Sequence, residues 1–216
     1  MSSKAHPVMR SGFLLGLIAL IGTSLLAGVN ELTHERILEQ ERRRVLDQLT
    51  EIVPPASYNN NLLEDTVEVS DEFYFRDPEP VTVYRARLDG EPVAALLRVT
   101  APDGYNGDIH LLIGIDPAGA VLGVRVVSHR ETPGLGDPIE IERSDWILDF
   151  NQKSLLDPQQ NGWAVKRDGG EFDQFTGATI SPRAVVKTVH STLLYFDAHR
   201  QSLFEAAAIG VNQDDN

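Results

Sequence analysis

From Ser11 to Asn30 the chain carries no charged residue, and Gly12 to Val29 is mostly Leu, Ile, Gly and Ala. A helix needs about 20 such residues to cross a bilayer, because its backbone polar groups must be satisfied there within the segment. The first expectation is therefore a membrane-spanning helix over 11–30. Lys4 and Arg10 precede it, and no Asp or Glu comes before Glu31. Basic residues stay on the cytoplasmic side. That rule puts 1–10 in the cytoplasm and the remainder outside, in the periplasm for the inner membrane of a Gram-negative bacterium. A cleaved leader is the rival reading. The apolar core is long for one, and Leu25-Leu26-Ala27-Gly28 is a poor small-x-small cleavage site, so an uncleaved anchor is expected.

Charge and cysteine content narrow the function. The formal net charge is −13, and Lys4 and Arg10 both precede the span, so the part beyond it is more acidic still. An acidic surface argues against nucleic acid as a partner and against lying flat on anionic lipid; solubility alone accounts for most of the charge. There is no cysteine, which excludes a Cys-ligated iron–sulfur cluster, c-type haem attachment and a thiol nucleophile. A domain of this size buries a core without disulfides. If the protein moves electrons, a flavin is among the few carriers left.

Beyond the anchor, Glu31 to Ile52 reads as a charged helix with a narrow apolar stripe (Leu38, Val45, Leu49, Ile52), stopped by Pro54-Pro55. This gives a linker over 31–53 that carries the globular part away from the bilayer or packs on a partner; a solvated helix fits the pattern equally well. Tyr58 to Asp65 is an Asn-rich loop, and from Thr66 the pattern turns to strands. Val81 to Leu88 alternates, Asp89-Gly90 supplies a two-residue turn, and Pro92 to Val99 returns. A second hairpin runs from Ile109 to Ile115, through Asp116-Pro117-Ala118-Gly119, to Val121–Val127, and a third surrounds Asp168-Gly169-Gly170. Helical segments are expected near Asp145–Phe150 and from Pro182 to about Phe204. The fold class is α+β: a mostly antiparallel β domain over 54–205 with flanking helices, then a tail over 206–216.

Asp173 opens the stretch Asp-Gln-Phe-Thr-Gly-Ala-Thr, ending at Thr179 and running into Ile180-Ser181-Pro182. Ser181 and Pro182 read as the N-cap and first-turn pair of the last helix. Thr179 then offers a hydroxyl just ahead of a helix N-terminus, where free N–H groups and the dipole favour an anion such as phosphate. Taken alone, the same residues are also what any turn before a capped helix looks like. Two further loops stand out. Pro102 to Asp108 displays Tyr105 between Gly104 and Gly107, and lacks the alternating oxygen ligands of a calcium loop. His129 to Asp137 follows a strand, and its Pro133, Gly134 and Gly136 permit close approach of main chain to a flat ligand, with Glu131 and Thr132 placed to hydrogen-bond it. A simple turn fits that loop too. His110 and His190 sit on apolar elements and read as packed residues. No zinc-protease helix, nucleophile elbow, Walker loop or dinucleotide fingerprint is present, and no metal site is expected.

In this order the anchor, Gly104-Tyr105-Asn106-Gly107-Asp108, His129 to Gly136 and Asp173 to Thr179 resemble the G subunit of the Rnf/Rsx ion-translocating electron-transport complex, over nearly the whole chain. The C subunit of the sodium-pumping NADH:quinone reductase is related but usually longer. The Glu-Thr-Pro-Gly-Leu-Gly pattern on a short chain favours the first family.

The resemblance implies FMN joined to Thr179 by a phosphoester bond. Asp173, Thr176, Gly177 and Ala178 complete the flavinylation motif. The family places the ring against Gly104-Tyr105 and Glu131 to Gly136 (Glu131, Thr132, Pro133, Gly134, Leu135, Gly136), with Ser181 at the helix start beside the phosphoester. It also implies a separate flavin transferase that takes FMN from FAD with Mg²⁺, Thr179 being its substrate. Asp173 either helps present the motif to that enzyme or caps the local turn. The protein is then a non-autonomous redox component of a translocase in the bacterial inner membrane, partnered by the other subunits of the complex. Two other readings stay open: a membrane-anchored binding module without covalent flavin, and a lone periplasmic flavoprotein serving another reductase.

Overall fold

The computed structural model describes the backbone of residues 5–208, and their side chains except at 5–9, 26–38 and 41. Residues 1–4 and 209–216, from the expected cytoplasmic terminus and tail, lie outside the described residues. The chain divides into two compact units, Met1–Val45 and Leu46–Asn216. One continuous helix, α1 (Ala5–Ile52), covers the backbone of the expected anchor and linker. Among the described residues no helix is long and apolar enough to cross a membrane; the side chains at 26–30 of the expected span lie outside the described residues. In the first unit Phe13, Leu14, Leu15, Leu17, Ile18, Leu20, Ile21 and Leu25 are all exposed, and Glu39 pairs with Arg43 one turn on.

The second unit is built on a five-stranded antiparallel meander, β1 (Thr66–Val69), β2 (Val81–Leu88), β3 (Glu91–Ala101), β4 (Ile109–Ile115) and β5 (Val121–Ser128), in sequential order. Local turn chemistry dictates that order. Asp89 and Gly90 both take positive φ, at 52° and 87°, as a two-residue turn matched to strand twist requires. At the next hairpin Asp116 accepts the amides of Ala118 and Ala120 at 2.8 and 2.9 Å, and Gly119 closes the turn onto Asp116 O. A short helix, α2 (Glu72–Phe75), joins β1 to β2 and is capped by Asp71. The last helix, α3 (Ile180–Glu205), lies against β3 and β4.

Period-two alternation decides what each face buries. Ile109, Leu111, Ile113 and Ile115 of β4 join Val185, Val189, Leu193 and Phe196 of α3 in one core. On the other face Gly114 pairs with Gly123 across β4 and β5, and a Cβ at either would meet Ile52. The last turn of α1, with Leu49 and Ile52 buried, seats on that smooth patch, helped by Glu51–Arg125 at 3.2 Å.

The helical segment expected near Asp145–Phe150 is present as a 3-10 helix, started by Ser144 and burying Trp146, Ile147 and Phe150. One sequence expectation changes here. The third hairpin does not form. Lys166–Asp168 is a 3-10 turn ended by Gly169 in the left-handed region, and the only ladder across it is an isolated parallel bridge between Val165 and Phe172. The chain folds back so tightly there that a Cβ on Gly170 would strike the backbone of Ala164, which leaves no room for paired strands. His190 does pack as expected: it stacks on Trp163, centroids 5.3 Å apart, and its burial pulls its pKa below the ordinary histidine value.

The C-terminal end of α3 is fastened by buried arginine. Arg85 donates to the carbonyls of Leu203 and Ala206 at 3.0 and 2.7 Å, and Arg87 to Phe204 O at 2.6 Å. Asp65 holds both guanidinium groups, its two oxygens taking Arg85 Nε at 2.7 Å and Arg87 Nε at 2.8 Å. Carbonyls in a last helical turn lack intrahelical partners, and cations there complement the helix dipole. Removing Arg85 takes the donor from the Leu203 and Ala206 carbonyls and leaves Asp65 with Arg87 as its one arginine partner. Arg85→Met is expected to destabilise the domain by about 3–5 kcal/mol, and the more exposed Arg87→Met by clearly less, as read from denaturant midpoints.

Candidate functional site

The start of α3 is set by the turn before it. Phe175 to Ala178 closes on itself through Ala178 N–H to Phe175 O at 3.1 Å, with Gly177 at φ +84°, a conformation that the third position of such a turn reserves for glycine. Thr179 follows as the N-cap, at φ −82°, ψ −21°. Its carbonyl accepts Arg183 N–H at 3.2 Å, but its hydroxyl makes no capping bond. The half-buried Thr179 Oγ therefore stands at a helix start whose first amides have no intrahelical partner.

Ser181, expected as the N-cap with Pro182 as the first helical residue, is instead the second residue of α3, and Pro182 is the third. The reason is a long-range competitor. Ser181 is buried, and its hydroxyl is drawn away to donate to Oε2 of Glu131 instead of accepting a backbone N–H as a cap. Pro182 is tolerated because an amide in the first turn has nothing to bond anyway.

Strand register explains how distant loops reach this point. His110 at the start of β4 pairs with Ser128 at the end of β5, so the loop entering β4 and the loop leaving β5 emerge side by side. Glu131, only 4% exposed, joins them: its Oε1 accepts Asn106 N–H at 3.0 Å, while its Oε2 takes Ser181. Both oxygens are thus held by groups of the chain itself. A Cβ on Gly104 would press on Glu131 Oε1, and one on Gly136 would come within 2.8 Å of Oε2 and 2.7 Å of Ser181 Oγ. These glycines are needed for contact between parts of the chain.

The β5 loop is braced from several sides. Thr132 O accepts the amides of Leu135 and Gly136, and Thr132 Oγ1 accepts Asn106 Nδ2 at 3.1 Å. Gly134, at φ +76°, donates to Asp137 Oδ1 at 2.6 Å. His129 accepts Glu131 N–H on Nδ1 at 2.9 Å, which leaves the proton on Nε2 to be donated to Glu140 at 3.0 Å. Pro133 and Gly134 are exposed, as are Leu135 at 47% and Tyr105 at 65%. The Leu135 side chain lies 3.8 Å from where a Cβ on Gly177 would be. The structure thus gathers Gly104, Tyr105, the 131–136 loop, the 176–179 turn and Ser181 into one region.

Asp173 stands apart from the turn. Its exposed carboxylate pairs with Lys166 at 2.6 Å, and its carbonyl accepts Trp146 Nε1 at 2.8 Å. Trp146 also meets Phe175 edge to face at 5.2 Å, so it braces the stretch at both points. Sequence reasoning did not single out Asn106, Asp137 or Trp146. Asp137 and Asn106 act at short range inside loops already noticed, whereas nothing local to Trp146 signals its partner.

Asp103 ties the β4 loop to both helices, accepting from Lys187 of α3 at 3.0 Å and from Arg76, which follows α2. The Lys187 bond first, then that of Arg76, holds the Asp103 carboxyl below the usual carboxylate range. A lowered folded-state pKa means that the contribution is complete above the unfolded value, about 3.9, and is lost as pH falls through the folded value. The pairs are exposed, so the contribution is at most about 1 kcal/mol. Thermal midpoints of the wild type and Asp103→Asn are expected to differ at neutral pH and to converge in acid, as pH falls through the lowered folded-state value.

Residues 104–194 match the FMN-binding domain family, and residues 1–52 match the RnfG N-terminal region. Over 202 residues the chain is 50% identical to the G subunit of the ion-translocating oxidoreductase complex of Pseudomonas aeruginosa, covering 94% of each. The same-named protein of Shewanella loihica is 46% identical over 93% of this chain and 95% of its own, and that of Vibrio cholerae 42% over 91% and 93%. The chain belongs to the family of G subunits of ion-translocating oxidoreductase complexes, and its globular part includes an FMN-binding domain.

Proposed function

We propose that this protein carries FMN covalently, through a phosphoester on Thr179 Oγ, and relays electrons among the redox subunits of its complex on the periplasmic side of the inner membrane. The observation that carries the reading is the uncapped Thr179 hydroxyl at the start of α3, with the loops of Tyr105 and Leu135 gathered around it. The chain's own groups suit such a cofactor. First-turn amides of α3 favour the phosphoester's negative charge. Exposed Tyr105 and Leu135 offer apolar surface to a flat ring, and Gly177 leaves the turn beside Thr179 open.

FMN, when bound, supplies one- and two-electron redox chemistry, and the protein sets its position and exposure. Attachment is a transfer in which Thr179 Oγ gains the FMN phosphoryl group of FAD, AMP leaves and the hydroxyl proton is lost. A separate transferase with Mg²⁺ supplies the catalysis. Asp173, exposed and outside the turn's hydrogen bonds, is available to that enzyme once Lys166 is displaced. A tether suits an exported domain, because it replaces dependence on an ambient flavin pool with a high effective concentration. Residues 11–30 cross the membrane once with 1–10 in the cytoplasm, 31–53 form the linker, and 54–205 carry the flavin ahead of the 206–216 tail.

Intact and peptide mass spectrometry of the chain co-expressed with a flavin transferase is expected to show the mass of FMN less water, mapped to Thr179. Thr179→Ala is expected to remain folded and to lose the adduct entirely. Covalent FMN on that variant defeats the assignment.

A further inference from the structure

The geometry points to Glu131 as a positioning residue for the flavin site, acting through Ser181 and the Asn106 amide rather than by touching the flavin. This inference rests on the proposed attachment at Thr179. Three observations carry it. Glu131 is buried and each carboxylate oxygen already has a partner within the chain: one takes Asn106 N–H, the other Ser181 Oγ. Those two partners belong to the two segments that must come together, the β4 loop and the first turn of α3, 25 and 50 residues away in the chain. Finally, Gly136 approaches the carboxylate so closely that a Cβ there would intrude on it, while a Cβ on Gly104 would strike Gly107 O and come to 3.0 Å from Glu131 Oε1.

The physical consequence concerns which hydroxyl is presented. Thr176, Thr179 and Ser181 lie within six residues. A serine in the first turn of a helix ordinarily competes for the free amides there. Glu131 takes the Ser181 hydroxyl out of that competition and sinks it, while the Thr179 hydroxyl stays free of the cap. The carboxylate also sits at the end of α3 that the dipole makes favourable to negative charge, which helps to hold it in place. Losing it frees the 104–106 loop, the 131–136 loop and the α3 start to move independently, so the flavin keeps its tether and loses its fixed surroundings.

The test uses the full-length chain co-expressed with a flavin transferase. The variants are Glu131→Ala, Glu131→Gln, Gly136→Ala and Ser181→Ala. Far-UV circular dichroism and thermal unfolding establish which are folded. The fraction of chain carrying covalent FMN is read by intact mass, and the setting of the ring by visible-region circular dichroism of the attached flavin. Folded Glu131→Ala and Gly136→Ala are expected to lose most of the visible dichroism, falling toward that of free FMN, and to be flavinylated less completely. Glu131→Gln is expected to rescue both readouts, since its amide can accept Asn106 N–H and donate to Ser181 Oγ. Wild-type dichroism and flavinylation in folded Glu131→Ala overturn the inference, as does a Gln variant no better than Ala. Should Glu131→Ala not fold, Ser181→Ala decides: a folded variant with lost dichroism supports the role, and one with full dichroism removes it. Adduct persisting on Thr179→Ala strikes the attachment reading instead, so the two failures are told apart.

Discussion

Helix α3 is held at each end by a buried charge of the sign its dipole attracts, and the rest of the domain is arranged around that constraint. At the N-terminal end Glu131 receives Ser181; at the C-terminal end Arg85 donates to the carbonyls of Leu203 and Ala206. Both charges come from the sheet or from the loop leaving it. Burying either costs desolvation that only full hydrogen bonding offsets, and each has it: Glu131 from Asn106 as well, Arg85 from Asp65. The apolar stripe of α3 supplies most of the burial energy. The two charges fix where along its axis the helix stops sliding, which a smooth hydrophobic stripe does not specify.

Axial register matters because Thr179 is the cap of that helix. Shifting α3 by one residue would rotate the first turn by about 100° and take Thr179 away from the loops beside it. The meander contributes the other half of the placement. Antiparallel pairing of β4 with β5 brings the start of one and the end of the other to the same edge, so two loops far apart in sequence share one exit. A hydrogen-bonded set from Asn106 through Glu131 to His129 and Glu140 braces that region, and Asp103 ties the same β4 loop separately to Lys187 of α3.

The parts legible in the sequence were those governed by neighbours in the chain. Asp89-Gly90 announced its hairpin because the turn needs two positive φ values there, and the alternation from Val81 to Leu88 and from Ile109 to Ile115 gave the strands. The two glycine-bearing loops and the Thr179 turn were legible as candidates for the same reason. What failed was anything decided at a distance. Ser181 followed by proline reads as a helix cap, yet its hydroxyl is claimed by a carboxylate 50 residues earlier. Asp168-Gly169-Gly170 reads as a hairpin turn, yet the segment collapses onto Ala164. Arg85 sits in a strand pattern like any outward-facing basic residue, and only the tertiary fold buries it under the end of α3.

The sequence separation of 121 from Arg85 to Ala206 also bears on the order of assembly. The hairpins join near neighbours and close quickly, whereas contacts of such separation carry a large loop-closure cost and form late. During synthesis α3 is the last described element to emerge, so the sheet exists first as an uncovered apolar face awaiting its helix. The surroundings of Thr179 are complete only after that docking, which makes the site itself a marker of finished folding. On the proposed attachment at Thr179, a transferase that required the assembled region would act on mature chains and pass over nascent or misfolded ones, so selection of the properly folded protein would need no separate inspector.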